Sequence, residues 1–203
     1  MTVTAAEQVE YDPETALVVV DVQNDFADPS GSLYVSGGDE IVPVVNEHIR
    51  RARAAGATVV YTQDWHPPET PHFVTGGGQW PVHCVRDTWG AELHPELLVV
   101  EDERVHFLKK GTGGEDGYSA FTVRDPTSGA EEATELERIL RDAGARRVVV
   151  CGLAEDVCVK ETALDAARLG FDTVVVLEAT RPVSEEGSSA ARSQLREAGV
   201  TFV

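Results

Sequence analysis

The sequence predicts an α/β protein, a three-layer α/β/α sandwich around a mostly parallel sheet of about six strands. Short, continuous runs of apolar and often β-branched residues, at 16–20, 58–62, 148–151 and 173–177, match strands buried on both faces, which is how parallel strands read. Between them lie stretches with apolar residues at helical spacing that close at a glycine, and strand–helix alternation builds right-handed βαβ units. A chain of 203 residues with 42% hydrophobic content suffices for one core, so residues 1–203 are read as a single domain with 1–11 as a polar leader.

Taken in order, the first strand (16–20) stops at Asp21-Val22-Gln23-Asn24-Asp25-Phe26, and a carboxylate at the end of a buried strand is unusual. Gly31, Gly37 and Gly38 mark a loop. Residues 41–55 then place Ile41, Val44, Val45, His48, Ile49 and Ala52 on one helical face, closed by Gly56. The second strand (58–62) runs at once into Gln63-Asp64-Trp65-His66. Residues 67–79, with three prolines and three glycines, form a long loop that ends in Trp80-Pro81-Val82-His83-Cys84, more like the wall of a site than a linker. A third strand (105–108) ends at Lys109-Lys110-Gly111, and a second glycine-rich loop holds Gly113, Gly114, Gly117 and Tyr118-Ser119-Ala120-Phe121. A helix is expected over 132–143. The strand 148–151 then passes Gly152 into a helix that begins near Val159 and closes at Gly170. The strand 173–177, a helix over 187–198 and a short strand over 200–203 complete the chain.

Seventeen basic residues against 35 acidic ones give a net charge of -18, which opposes binding to nucleic acid or to an anionic membrane surface. No apolar run approaches the length of a membrane span, and the first ten residues have neither a basic nor an apolar region of a secretion signal. Three cysteines without regular spacing argue against a disulfide framework and for a reducing, cytoplasmic setting.

In an open parallel sheet, ligands bind beyond the carboxyl ends of the strands, where the strand order reverses. Asp21, Asp64 with His66, Lys110 and Cys158 each fall just past a different expected strand. Cys158 also falls where a helix begins. Unpaired N–H groups and the positive end of the dipole are expected there to lower its thiol pKa, although a buried, inert cysteine is the commoner fate. Acid, amine and thiol together suit amide hydrolysis. Asp21 takes the thiol proton and returns it to departing ammonia, Lys110 keeps Asp21 charged, and the N–H groups of Ala154 and Cys158 bind the tetrahedral oxyanion. Asp64, His66 and His83 offer an N2O ligand set for one divalent metal ion, zinc first and iron or manganese as alternatives. The competing reading is that these histidines only hydrogen-bond the loop backbone. His72 and His94 are weaker candidate ligands, while His48 and His106 fit a helix and a strand face.

These motifs, in this order, resemble the isochorismatase-like cysteine hydrolases, and within them the nicotinamidases (pyrazinamidases), from Ala16 to Val203. Val20-Asp21-Val22-Gln23-Asn24-Asp25-Phe26, Asp64-Trp65-His66, Trp80-Pro81-Val82-His83-Cys84, Lys110-Gly111 with Tyr118-Ser119-Ala120-Phe121, and Gly152-Leu153-Ala154-Glu155-Asp156-Val157-Cys158-Val159 carry the likeness. The resemblance implies a catalytic triad of Asp21, Lys110 and Cys158 and a metal held by Asp64, His66 and His83. It further implies a ring site walled by Phe26 and Trp80, a cis peptide at Leu153–Ala154, and deamidation of nicotinamide and pyrazinamide through a thioester, in NAD salvage. The partner implied is a small-molecule amide. Relatives include monomers and assemblies, which leaves a homo-oligomer open. Glu155 departs from the small or hydroxyl residue that many relatives carry, and a carboxylate turned toward the thiol would raise its pKa. The runner-up is a metal-independent amidase or carbamoyl hydrolase of the same superfamily. A non-catalytic binding protein on the same scaffold would need neither acid, amine nor reactive thiol.

Overall fold

A computed structural model of the protein describes residues 9–203, so residues 1–8 of the expected leader lie outside the described residues. In chain order the elements are β1 (Thr15–Val20), a single helical turn α1 (Asn24–Ala27), α2 (Val42–Ala54), β2 (Thr58–Asp64), β3 (Val105–Lys110), β4 (Thr122–Arg124), β5 (Glu131–Ala133), α3 (Leu136–Asp142), β6 (Arg147–Leu153), α4 (Lys160–Arg168), β7 (Asp172–Arg181), α5 (Glu185–Glu197) and β8 (Thr201–Phe202). Six strands form one sheet in the order β3-β2-β1-β6-β7-β8, every pair parallel.

Alternate residues of the central strands feed two cores. Leu17, Val19, Tyr61, Val149 and Cys151 pack with Val45 and Ile49 of α2 on one face. Val18, Val20, Val60, Val148 and Val150 pack on the other with Leu136 and Leu140 of α3, Ala163 and Ala166 of α4, and Leu195 of α5. Burial on both faces is why these strands read as unbroken apolar runs rather than alternating ones. From β1 the chain builds outward through β2 and β3, then returns to β6 on the other side. The reversal lies between β1 and β6, and the crevice at their carboxyl ends is where such a sheet gathers a site.

Gly152 sets how closely those two strands approach. Its φ is +110°, and a Cβ there would lie 2.0 Å from the carbonyl oxygen of Val20. Any side chain would push the end of β6 off β1.

Three expected boundaries move. The helix expected over 132–143 starts only at Leu136, and residues 131–133 instead pair antiparallel with β4. Thr134 ends that ribbon, because its Oγ1 accepts the Leu136 N–H at 3.1 Å. Helix α5 begins before 187, since Ser184 caps it by accepting the Gly187 N–H at 3.0 Å. Strand β7 runs on to Arg181 past a register shift opposite Cys151. Among the described residues no helix is long and apolar enough to cross a membrane.

Candidate active site

Four strand ends deliver the predicted residues to one place. Asp21 follows β1, Asp64 and Lys110 close β2 and β3, and Cys158 lies in the turn after β6. All four are buried. A carboxylate oxygen of Asp21, one of Asp64 and the Cys158 sulfur lie within 4.8 Å of one another. Lys110 Nζ donates to Asp21 Oδ2 at 2.7 Å and to the Gly117 carbonyl. It also lies 3.1 Å from Asp64 Oδ1, an ion contact outside hydrogen-bond angles. Thr62 Oγ1 donates to Asp21 Oδ1 at 2.6 Å and fixes that carboxylate from β2. Strand alternation sends the adjacent Lys109 and Lys110 to opposite faces. Lys110 turns inward, and the exposed Lys109 sets its ammonium 3.4 Å from the centroid of the Trp65 ring.

The electrostatics follow from burial and one lysine. Burial pulls Lys110 down, but the carboxylates of Asp21 and Asp64 outweigh it and hold the ammonium above the usual lysine range. Burial pushes Asp21 up to about 6 against the opposing pull of Lys110. Burial also raises Asp64, yet Lys110 with His66 and His83 holds its carboxyl well below the usual range. Burial sends the Cys158 thiol well up, and Lys110 offsets only part of that. The sequence position argued for a lowered thiol pKa, and here the missing solvent reverses the sign. The resting site therefore keeps the proton on sulfur beside a carboxylate able to take it.

Cys158 sits in a wide turn, residues 155–159, that leads into α4. Val159 N–H reaches the Ala154 carbonyl at 3.0 Å and Lys160 N–H reaches Glu155, both spanning five residues rather than four. The Leu153–Ala154 peptide just before it is cis, as the resemblance implied. Glu155 does not act on the thiol. Its buried carboxylate accepts from Ser188 Oγ at 2.8 Å and from Arg192 Nε and Nη2 at 2.6 and 3.0 Å.

Beside this group lies a cluster of imidazoles. Ring nitrogens of His66, His72 and His83 lie within 4.8 Å of one another, all buried. Asp64 Oδ2 is 3.7 Å from His66 Nε2 and 3.9 Å from His83 Nε2. His83 Nδ1 bonds the Pro81 carbonyl at 2.7 Å and His72 Nδ1 bonds Asp116 Oδ1 at 2.5 Å, which leaves each Nε2 to the cluster. Neither ring nitrogen of His66 has a hydrogen-bond partner, an expensive state for a buried imidazole that a cation would relieve. Burial lowers His83 to about 4 and lowers His72 as well, so both rings are neutral and offer lone pairs near pH 7. The donor set fits one divalent ion. His72 lies with His66 and His83 in this cluster. His94 does not, since its Nδ1 accepts the Glu96 N–H at 3.3 Å.

These two groups share one small, partly open cavity. Phe26 and Trp80 line it, as the resemblance implied, and Trp80 Nε1 donates to Tyr118 Oη at 2.9 Å. Leu33, Val35, Tyr118, Val157 and Val183 complete the apolar wall. These positions carry no chemistry of their own in the sequence, and only folding gathers them.

Known proteins resemble the chain over nearly its whole length. The Isochorismatase domain family model matches residues 15–203. The chain is 37% identical over 207 residues to the nicotinamidase of Escherichia coli (strain K12), covering 94% of each. The solved structure of the pyrazinamidase of Pyrococcus horikoshii in complex with zinc is similar at a TM-score of 0.82 and 40% identity, over 94% of this chain and 99% of that one. PnC1 from L. infantum, solved in complex with nicotinate, superposes at 0.83 with 38% identity over 96% and 95%. The chain therefore belongs to the isochorismatase-like hydrolases and, within them, to the nicotinamidase family.

Proposed function

We propose that the protein hydrolyses the carboxamide of nicotinamide, and of its analogue pyrazinamide, to the acid and ammonia through a thioester on Cys158. The observation that carries this reading is the meeting of a buried Asp21–Lys110–Cys158 group and a buried Asp–His cluster on one small apolar cavity. Phe26 and Trp80 bind the flat ring by stacking and edge contact. The Cys158 proton passes to Asp21 as sulfur attacks the carboxamide carbon. The N–H groups of Ala154 and Cys158 take the oxyanion, an interaction that costs about 2.7–4 kcal/mol to remove in comparable enzymes. Asp21 then gives its proton to the departing nitrogen, which leaves as ammonia. With Asp21 again a base, water attacks the thioester, and the acid leaves as sulfur recovers its proton. Lys110 stays protonated through both transfers and offsets the negative charge as it passes among Cys158, Asp21 and the oxyanion.

Asp64, His66, His72 and His83 would hold the metal, and this N/O donor set suits zinc first, with iron and manganese accepted by the same donors. When bound, the ion supplies a Lewis acid for a ring nitrogen of the substrate. Convergence of four such donors speaks against the metal-independent amidase reading. Three free and buried cysteines support a reducing, cytoplasmic setting.

The test is ammonia release from nicotinamide by zinc-loaded protein, beside Cys158→Ala. Release by the parent, with none from the variant, is the expected result. A folded, metal-loaded parent that releases no ammonia from either amide would overturn the reading.

A further inference from the structure

Glu155 and Asp156 open the turn that carries Cys158, and both are tied to one distant segment. Glu155 is 1% exposed, and three donors from α5 meet its carboxylate, two of them from the fork of Arg192. Asp156 accepts the N–H groups of Val183 and Ser184 at 2.8 and 3.2 Å. It also fills the space that Gly187 leaves open, where a Cβ would lie 2.1 Å from Asp156 Oδ2. Val183, Val157 and Cys158 line the same cavity.

A wide turn at a helix start needs such support. Tightening it by one residue to ordinary α-helical bonding would turn the following side chains by about 100° around the helix axis. Such a turn would carry the Cys158 sulfur away from Asp21. We propose that Glu155 and Arg192, seconded by Asp156, are positioning residues: they clamp the nucleophile turn to α5 in its wide form, and fix the Val183 wall of the cavity with it. Glu155 thus serves the reaction through Arg192 and Ser188, without touching substrate. The inference rests on Cys158 being the nucleophile.

The test uses metal-loaded full-length protein with three substitutions, Arg192→Met, Arg192→Lys and Ser188→Ala. Two readouts are taken well below the melting temperature: kcat and KM for nicotinamide, and the rate of Cys158 alkylation by iodoacetamide, followed by peptide mass spectrometry. Arg192→Met is expected to lower kcat by about 10- to 100-fold with KM within about threefold, the pattern of a misplaced reacting group, and to slow alkylation in parallel. Arg192→Lys restores part of both, because an ammonium keeps the charge but loses the fork. Should Arg192→Met fail to fold, Ser188→Ala carries the test with a loss of about threefold, since the Glu155 carboxylate then keeps both Arg192 donors and loses one of three; parental kcat and alkylation in folded Ser188→Ala would then overturn the clamp. Folded Arg192→Met with parental kcat and alkylation overturns the clamp, as does a loss confined to KM. If the parent itself releases no ammonia, alkylation still decides the clamp, and the failure then belongs to the substrate assignment.

Discussion

Removing the Lys110 charge should unbalance the site more than any other single change. Lys110→Met keeps the buried stem and deletes the ammonium that stands 2.7 Å from Asp21 and 3.1 Å from Asp64. Two buried carboxylates, with oxygens no more than 4.8 Å apart, then face one another without a counter-charge. At an effective dielectric constant of about 20 their repulsion is about 3.5 kcal/mol, within the roughly 3–5 kcal/mol that breaking a buried ion pair costs. For a chain of this size that is a fall in melting temperature of roughly 7–14 °C. Differential scanning calorimetry of chelator-treated protein at pH 8 measures it. Without the lysine, both carboxyls rise above their unfolded values, so the missing stability is greatest at high pH and recovers as pH falls through the raised pKa values. The deficit at pH 5 should accordingly be smaller than at pH 8. A variant melting within about 2 °C of the parent at pH 8, or one whose deficit grows on acidification, would refute the reasoning.

Three further outcomes follow from the geometry. Cys158→Ala should fold and bind the ring while releasing no ammonia, read by a coupled ammonia assay and by equilibrium binding of nicotinate. Burial raises Cys151 from an ordinary thiol value to about 12, so the stability it lends is complete below pH 9 and is lost between pH 9 and 12. Cys151→Ala should therefore lose roughly 3 kcal/mol less than the parent between pH 8 and 11 in urea unfolding, a difference in which its own cavity cost cancels. Asp116→Asn, which weakens the hold on His72 Nδ1, should lower zinc affinity about 10- to 100-fold in competition with a chromophoric chelator and leave the melting temperature of metal-free protein unchanged.

The parts legible in the sequence are those where one physical demand dominates. Strands buried on both faces had to be continuous and apolar, so the runs around Val18, Val60 and Val149 were readable. The polar residues that end them had to be there for a reason other than packing. The β4–β5 ribbon gave no such signal, because Thr122 and Val123 are only half-buried, Glu131 and Glu132 are exposed, and the four obey no period. Helix α5 starts earlier than its apolar spacing alone indicates, because its first turn, Ser-Glu-Glu-Gly, is set by the Ser184 cap rather than by packing. Asp21, Asp64, His66, Lys110 and Cys158 stood out as strand-end chemistry. His72 did not, since it follows a proline in mid-loop, and only the fold of residues 67–79 brings it against His66. The role of Glu155 was beyond reach for a different reason. Its partners lie 33 and 37 residues on, and no local pattern says that a carboxylate beside a thiol will be claimed by a helix from the far end of the chain.

The parallel sheet has a kinetic consequence. Residues 21, 64, 110 and 158 come from the ends of four different strands, so no single strand end supplies two of them. The crevice exists only once β6 has docked on β1, a late and non-local step in a topology of this kind. Thiol reactivity should then be a reporter of the finished fold. During refolding from urea, the rise in Cys158 alkylation and the return of amidase activity should follow the slowest structural phase, and a nascent chain still lacking β6 carries no reactive centre at all.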